Sequence, residues 1–176
     1  MSLLQKKYLS DAGFMERAII LAEKGRATAP PNPWVGCVLV KNGRVVGEGY
    51  HIRSGGPHAE VHALEDAGLD AQGATAYITL EPCSHHGKTP PCVEALIKAK
   101  IARVVVALED PDSKVKGQGF SILKNSGIPF EVGVGRENAS QSLMPYLHQR
   151  KTGKPYCIVK SAMSLDGRTA AADGSS

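Results

Sequence analysis

Between residues 75 and 125 the chain alternates short apolar, β-branched runs with stretches of helical spacing. Residues 75–80 and 102–108 read as buried strands, and 93–100 and 117–125 as helices. Strand and helix in that order force successive strands to lie parallel, because the helix must cross over the sheet between them. One Trp, five Tyr and three Phe among 176 residues leave the core to Val, Ile, Leu and Ala, as a layered α/β domain requires. With 42% apolar and 22% charged residues, disordered and collagen-like architectures are excluded.

The flanking segments extend this sheet. Asp11 is read as the N-cap of a helix whose Phe14, Ala18, Leu21 and Ala22 share one face, ending at Gly25 and the Pro30-Pro31-Asn32-Pro33 run. Residues 34–40 and 44–50 are expected to pair as a hairpin about Asn42-Gly43. The break at Ser54-Gly55-Gly56-Pro57 places His58 at a helix N-terminus, with Val61 and Leu64 expected on that helix's apolar side. Residues 130–134 add a strand, and 137–150 a helix that Pro145 kinks or divides. The fold expected is a three-layer α/β/α sandwich with a mixed central sheet, over residues 1–150. Residues 151–176 form a linker and then a fresh apolar run at 156–159, expected to open a second domain that the chain leaves unfinished.

Charge and hydropathy narrow the class of function. A formal net charge of +4 favours an anionic ligand without indicating nucleic acid. No run approaches the ~20 apolar residues of a membrane span, and Asp11 and Glu16 interrupt what a signal peptide would keep apolar, so a cytoplasmic protein is expected. Four cysteines in such a chain point to metal binding or packing rather than disulfides. Cys37 and Cys157 lie in apolar runs and are read as packing residues. His148, Arg150, Lys151 and Lys154 are read as a solvated linker face, with an anion site as the alternative, and are assigned no role.

The chemistry is carried by His58-Ala59-Glu60, by Thr79-Leu80-Glu81-Pro82-Cys83, and by Cys92 beyond Ser84-His85-His86-Gly87-Lys88-Thr89-Pro90-Pro91. One imidazole and two thiolates make a three-ligand zinc set that leaves one tetrahedral position open, as a catalytic site requires. Glu60, two residues beyond His58, is poorly placed to be a ligand and well placed to shuttle protons between a water and a leaving nitrogen. Both cysteines are expected at helix N-termini, where the thiolate is favoured. A structural zinc closed by His85 or His86, or a capped helix beside two buried thiols, is the competing reading; either leaves Glu60 with no task.

His-x-Glu followed by Pro-Cys and a second Cys is the signature of zinc-dependent nucleobase deaminases. At these residues the chain resembles the cytidine-deaminase-like superfamily, and within it the deaminase half of the bifunctional riboflavin-biosynthesis deaminase/reductases. The cysteines stand nine positions apart instead of three, and the insert between them reads as it does in the riboflavin branch. Pro31-Asn32-Pro33-x-Val35-Gly36, Gly49-Tyr50-His51 and Glu109-Asp110-Pro111 extend the likeness. Asp112 departs from it, since the family more often has Asn there, and an acid at that position would weaken binding if it touched ribose or phosphate.

The resemblance implies deamination of 2,5-diamino-6-ribosylamino-4(3H)-pyrimidinone 5′-phosphate with one zinc ion per chain. It implies substrate contacts at Asn32, His51, His85, Lys88, Thr89 and Asp110, with Lys88 as phosphate partner. Residues 164–170 are similar to the start of the family's reductase domain, in which Ala162 would contact NADPH and Ser176 the substrate. NADPH belongs to that missing domain alone. A homo-oligomer binding a phosphorylated pyrimidine ribotide, without nucleic acid or membrane, is expected. Alternatives are another nucleobase, nucleoside or tRNA deaminase, against which the long insert speaks, and a non-catalytic zinc module binding RNA, against which the scarcity of aromatics speaks.

Overall fold

The computed structural model describes residues 10–84, 90–112 and 115–175. The chain runs α1 (Asp11–Glu23), β1 (Gly36–Lys41), β2 (Arg44–Tyr50), α2 (Ala59–Ala67), β3 (Thr75–Ile78), α3 (Cys92–Lys98), β4 (Arg103–Val106), α4 (Gln118–Asn125), β5 (Phe130–Val132), α5 (Arg136–Ser142) and α6 (Met144–Thr152). The five strands form one sheet in the order β2-β1-β3-β4-β5. β1 runs antiparallel to both its neighbours, whereas β3, β4 and β5 are parallel. The mixed sheet follows from its connections. Asn42 and Gly43, both at positive φ, close β1 onto β2 as a tight hairpin, while α3 and α4 supply the crossovers that parallel strands need.

Alternation along each strand sorts the core into two layers. Val38, Tyr77 and Val105 face Phe14, Met15 and Ala18 of α1 together with Ala139, Leu143 and Leu147 of the C-terminal segments. Cys37, Leu39, Ile78 and Val106 face Ala63 of α2, Val93 and Leu96 of α3, and Leu123 of α4. The sandwich thus has the three layers that the sequence predicts. Pro145 divides the last helical stretch, standing in the first turn of α6, where its missing N–H costs no hydrogen bond. Among the described residues no helix is long and apolar enough to cross a membrane.

Three local expectations are corrected. The cap of α1 is Ser10, whose hydroxyl accepts the Gly13 N–H at 3.2 Å. Asp11, the residue expected there, instead accepts the Tyr77 hydroxyl at 2.6 Å and an Arg103 N–H at 2.8 Å, fastening the start of α1 to β3 and β4. The buried face of α2 is centred on Ala59, Glu60, Ala63 and Ala67; Leu64 packs against the same core but is only partly buried, as is Val61. Shape decides this: Gly47 and Gly49 of β2 let the helix approach so closely that a Cβ at Gly49 would strike the Ala59 carbonyl and the Ala63 nitrogen. Finally, residues 156–159 pair with nothing and stand exposed, Cys157 included. A strand needs a neighbour for its N–H and C=O groups, and no described segment offers one.

The close packing of α2 on β2 carries a prediction. Gly49→Ala should lower unfolding stability by about 1–3 kcal/mol, the usual cost of overpacking, read as an earlier midpoint in urea. Because His58 caps this helix, the variant should also bind zinc more weakly; unchanged stability and zinc affinity would show that α2 can shift without cost.

Candidate active site

α2 and α3 present the site to one end of the sheet. His58 is the N-cap of α2 and keeps extended backbone (φ −81°, ψ 168°), so its ring lies ahead of the helix. Cys92 opens α3, fully buried. Cys83 follows β3 in a segment that is neither helix nor strand, so only one of the two cysteines begins a helix. Cys83 nevertheless profits from α3, because its sulfur accepts the Cys92 backbone N–H at 3.3 Å.

His58 Nδ1 stands 3.2 Å from Cys92 Sγ and 3.5 Å from Cys83 Sγ, and the three donor atoms lie within 4.8 Å of one another. Among the described residues these three alone form such a cluster. The Cys92 thiol hydrogen-bonds to Cys83, and this, with His58 and the Cys92 N–H, pulls the Cys83 thiol down to about 4 against the effect of burial. Cys92 is raised by the same hydrogen bond and by burial. His58 is raised, chiefly by its contact with Cys83. Two soft sulfurs and an imidazole so close together suit zinc.

Glu60 lies on the buried side of α2 and is 3% exposed. Burial first, and then the charge of Cys83, pushes its carboxyl up to about 6. Beside it opens a cavity of about 200 Å³, bordered by His58, Glu60, Cys83, Asn32, His51 and Asp110. His51 is buried and its ring stands edge-on to that of His58. Its Nδ1 donates to the Pro57 carbonyl at 3.0 Å, so Nε2 accepts the Asn32 amide at 3.1 Å, and burial keeps the ring below its ordinary pKa. That chain fixes the Asn32 amide and leaves its oxygen as the acceptor.

Sequence reasoning missed several residues here. Glu81, 4% exposed, accepts backbone N–H groups of Asp110, Gly117 and Gly119 at 3.3, 3.1 and 3.1 Å. Its carboxylate ties the loop after β4 to the segment carrying Cys83. Tyr146 and Arg150 of α6 also border the cavity; Arg150 is exposed, as read from the sequence, but belongs to a helix beside the site and not to a linker. A cluster of basic residues at a helix's end gives no sign, in sequence, that the helix borders the site. Cys37 is buried and its thiol pushed up by burial, as a packing residue. His85, Lys88, Thr89 and Ser176 lie outside the described residues, and Ala162 stands exposed beyond α6.

The fold and the His/Cys/Cys cluster beside a buried glutamate are those of the cytidine-deaminase class of zinc-binding domains. Residues 9–108 match the model of the cytidine and deoxycytidylate deaminase zinc-binding region, and the chain belongs to that family. It is 56% identical over 163 residues to the riboflavin biosynthesis protein RibD of Chlamydia trachomatis, covering 93% of this chain and 44% of that protein. It superposes on Acinetobacter baumannii RibD with a TM-score of 0.88 at 52% identity, covering 96% of this chain and 46% of that one. The Thermotoga maritima diaminohydroxyphosphoribosylaminopyrimidine deaminase/5-amino-6-(5-phosphoribosylamino)uracil reductase gives 0.87 at 39% identity, covering 98% and 49%. The chain thus spans less than half the length of these relatives.

Proposed function

We propose that this chain hydrolytically deaminates 2,5-diamino-6-ribosylamino-4(3H)-pyrimidinone 5′-phosphate to 5-amino-6-ribosylaminouracil 5′-phosphate, releasing ammonia. The observation that carries the reading is the convergence of His58, Cys83 and Cys92 on one point beside the buried Glu60, at the wall of a cavity. The substrate is supported by the names and the identity of the relatives. One zinc ion per chain, held by His58, Cys83 and Cys92, supplies Lewis acidity that makes water a nucleophile near neutral pH.

The chain's own residues do the rest. Glu60 takes a proton from the attacking water at its carboxylate oxygen and delivers it to the exocyclic amino nitrogen, which leaves as ammonia. Burial keeps that carboxylate from bulk water, so the proton it takes is handed on rather than lost. Asn32, His51 and Asp110 orient the ring and ribose, joined by His85, Lys88 and Thr89 of the insert. Reduction of the product with NADPH requires a complete second domain, to which Ala162 and Ser176 would contribute. A cytoplasmic homo-oligomer with reduced thiols is the setting this chemistry favours.

The test is ammonia release by zinc-loaded protein from the ribotide, with cytidine and guanine beside it. Turnover of the ribotide alone is expected. Turnover of cytidine or guanine instead would move the chain to another branch of the family, and none from any substrate at one zinc per chain would leave the metal a structural role.

A further inference from the structure

The cavity has a second wall whose charges the proposed reaction leaves unused. Residues 110–112 and α6 contribute it, on elements other than those that carry His58 and Glu60. The buried Tyr146 hydroxyl donates to the Asp110 carboxylate, 3.0 and 3.1 Å from its two oxygens. One helical turn on, Arg150 lays its guanidinium over the Tyr146 ring at 5.3 Å from the centroid and approaches Asp112 Oδ2 at 3.5 Å. The Asp112 N–H returns to Asp110 Oδ1 at 2.9 Å, closing the circuit. Stacking and pairing together hold a guanidinium at the mouth of the cavity while its side chain stays 39% exposed, open to a ligand.

Charge gives this position its meaning. The described residues around the cavity bring four carboxylates, Glu60, Glu81, Asp110 and Asp112, and among them Arg150 is the one permanent cation. A phosphate dianion entering against those acids would be repelled, and Arg150 offsets the acid closest to it. Its five N–H donors exceed what Asp112 engages. The cavity, about 200 Å³, is smaller than the ~300 Å³ at which pockets begin to enclose a drug-sized ligand. A ribotide whose ring end entered it would leave its phosphate outside the enclosed part, within reach of the exposed Arg150.

We propose that Arg150 is a specificity-determining residue of this pocket, taking the 5′-phosphate of the substrate at the cavity mouth while Asp112 and Tyr146 hold its guanidinium in place. The proposal rests on the ribotide reading above. It also accounts for an acid at position 112, since Asp112 positions the cation instead of opposing the anion.

The experiment compares zinc-loaded wild type, Arg150→Met and Arg150→Lys on the ribotide and on its dephosphorylated ribonucleoside. The ratio of kcat/KM for ribotide over nucleoside should fall about 10- to 100-fold in Arg150→Met, as loss of a charge-assisted phosphate contact predicts, with Arg150→Lys in between. An unchanged ratio overturns the proposal, even if both activities fall together, because that is what a merely structural arginine would give. Calorimetric titration with ribose 5-phosphate, and with ribose as control, reads the same contact without turnover. Binding of ribose 5-phosphate to wild type and its loss in Arg150→Met are expected; binding to both proteins or to neither overturns the assignment. Failure of the ribotide reading itself shows differently, as wild type that turns over neither compound, and the titration still decides the fate of Arg150.

Discussion

Glu60→Gln should leave the protein folded and loaded with one zinc ion while lowering turnover about 10²- to 10⁴-fold, the range for losing a positioned acid–base group. The side chain keeps its length and one accepting oxygen, so the packing of α2 beneath β2 has no reason to change. Removing a carboxylate from a site 3% exposed also takes away a desolvation cost, so thermal stability should hold or rise. The loss should fall on kcat more than on KM, because the proton moves only as the reaction proceeds. Metal analysis and a melting curve beside the kinetics separate this from misfolding. A variant that deaminates at the wild-type rate with its zinc in place would remove Glu60 from the mechanism and return it to the role of a helix residue.

How much of this was legible in the sequence depends on how local each cause is. The hairpin at Asn42-Gly43, the position of His58 ahead of its helix and the division at Pro145 are written in adjacent residues, because turn and cap preferences act over a few positions. Layering was legible too, since the continuous apolar runs around Val38, Tyr77 and Val105 must be covered on both faces. The face chosen by α2 was legible only at Leu64, because its centre is set by two glycines on a neighbouring strand that admit the helix's small residues. The same holds at the site. His58, Glu60, Cys83 and Cys92 form a recognisable pattern because metal and proton chemistry restrict which residue types serve. Glu81, Tyr146 and Arg150 act through distant partners: Glu81 through backbone amides of a later loop, Arg150 through Asp112 and a tyrosine one helical turn before it. A buried glutamate that collects three backbone N–H groups looks, in sequence, like any glutamate.

Cys83→Ala should reduce zinc from one per chain to a trace and abolish deamination. Losing only a residue that supports a metal ligand typically costs 10- to 100-fold in affinity, so loss of a ligand itself should exceed about 100-fold. Stability supplies a second reading that does not pass through activity. Zinc bound to the folded chain at a free concentration about 1,000 times its Kd stabilises by about 4 kcal/mol, worth roughly 8–16 °C in Tm for a domain of this size. Chelation should therefore lower the Tm of wild type by about that amount and leave Cys83→Ala unmoved. Cys92→Ala should lose zinc in the same way but melt lower than chelated wild type, because Cys92 is fully buried at the start of α3, next to Val93 in the core. Cys83 is only half-buried and outside any helix, so its loss should cost the metal-free fold little. Zinc retained at one per chain in Cys83→Ala would mean that a different side chain completes the set, and the three-ligand assignment on which the open position for water depends would fall with it.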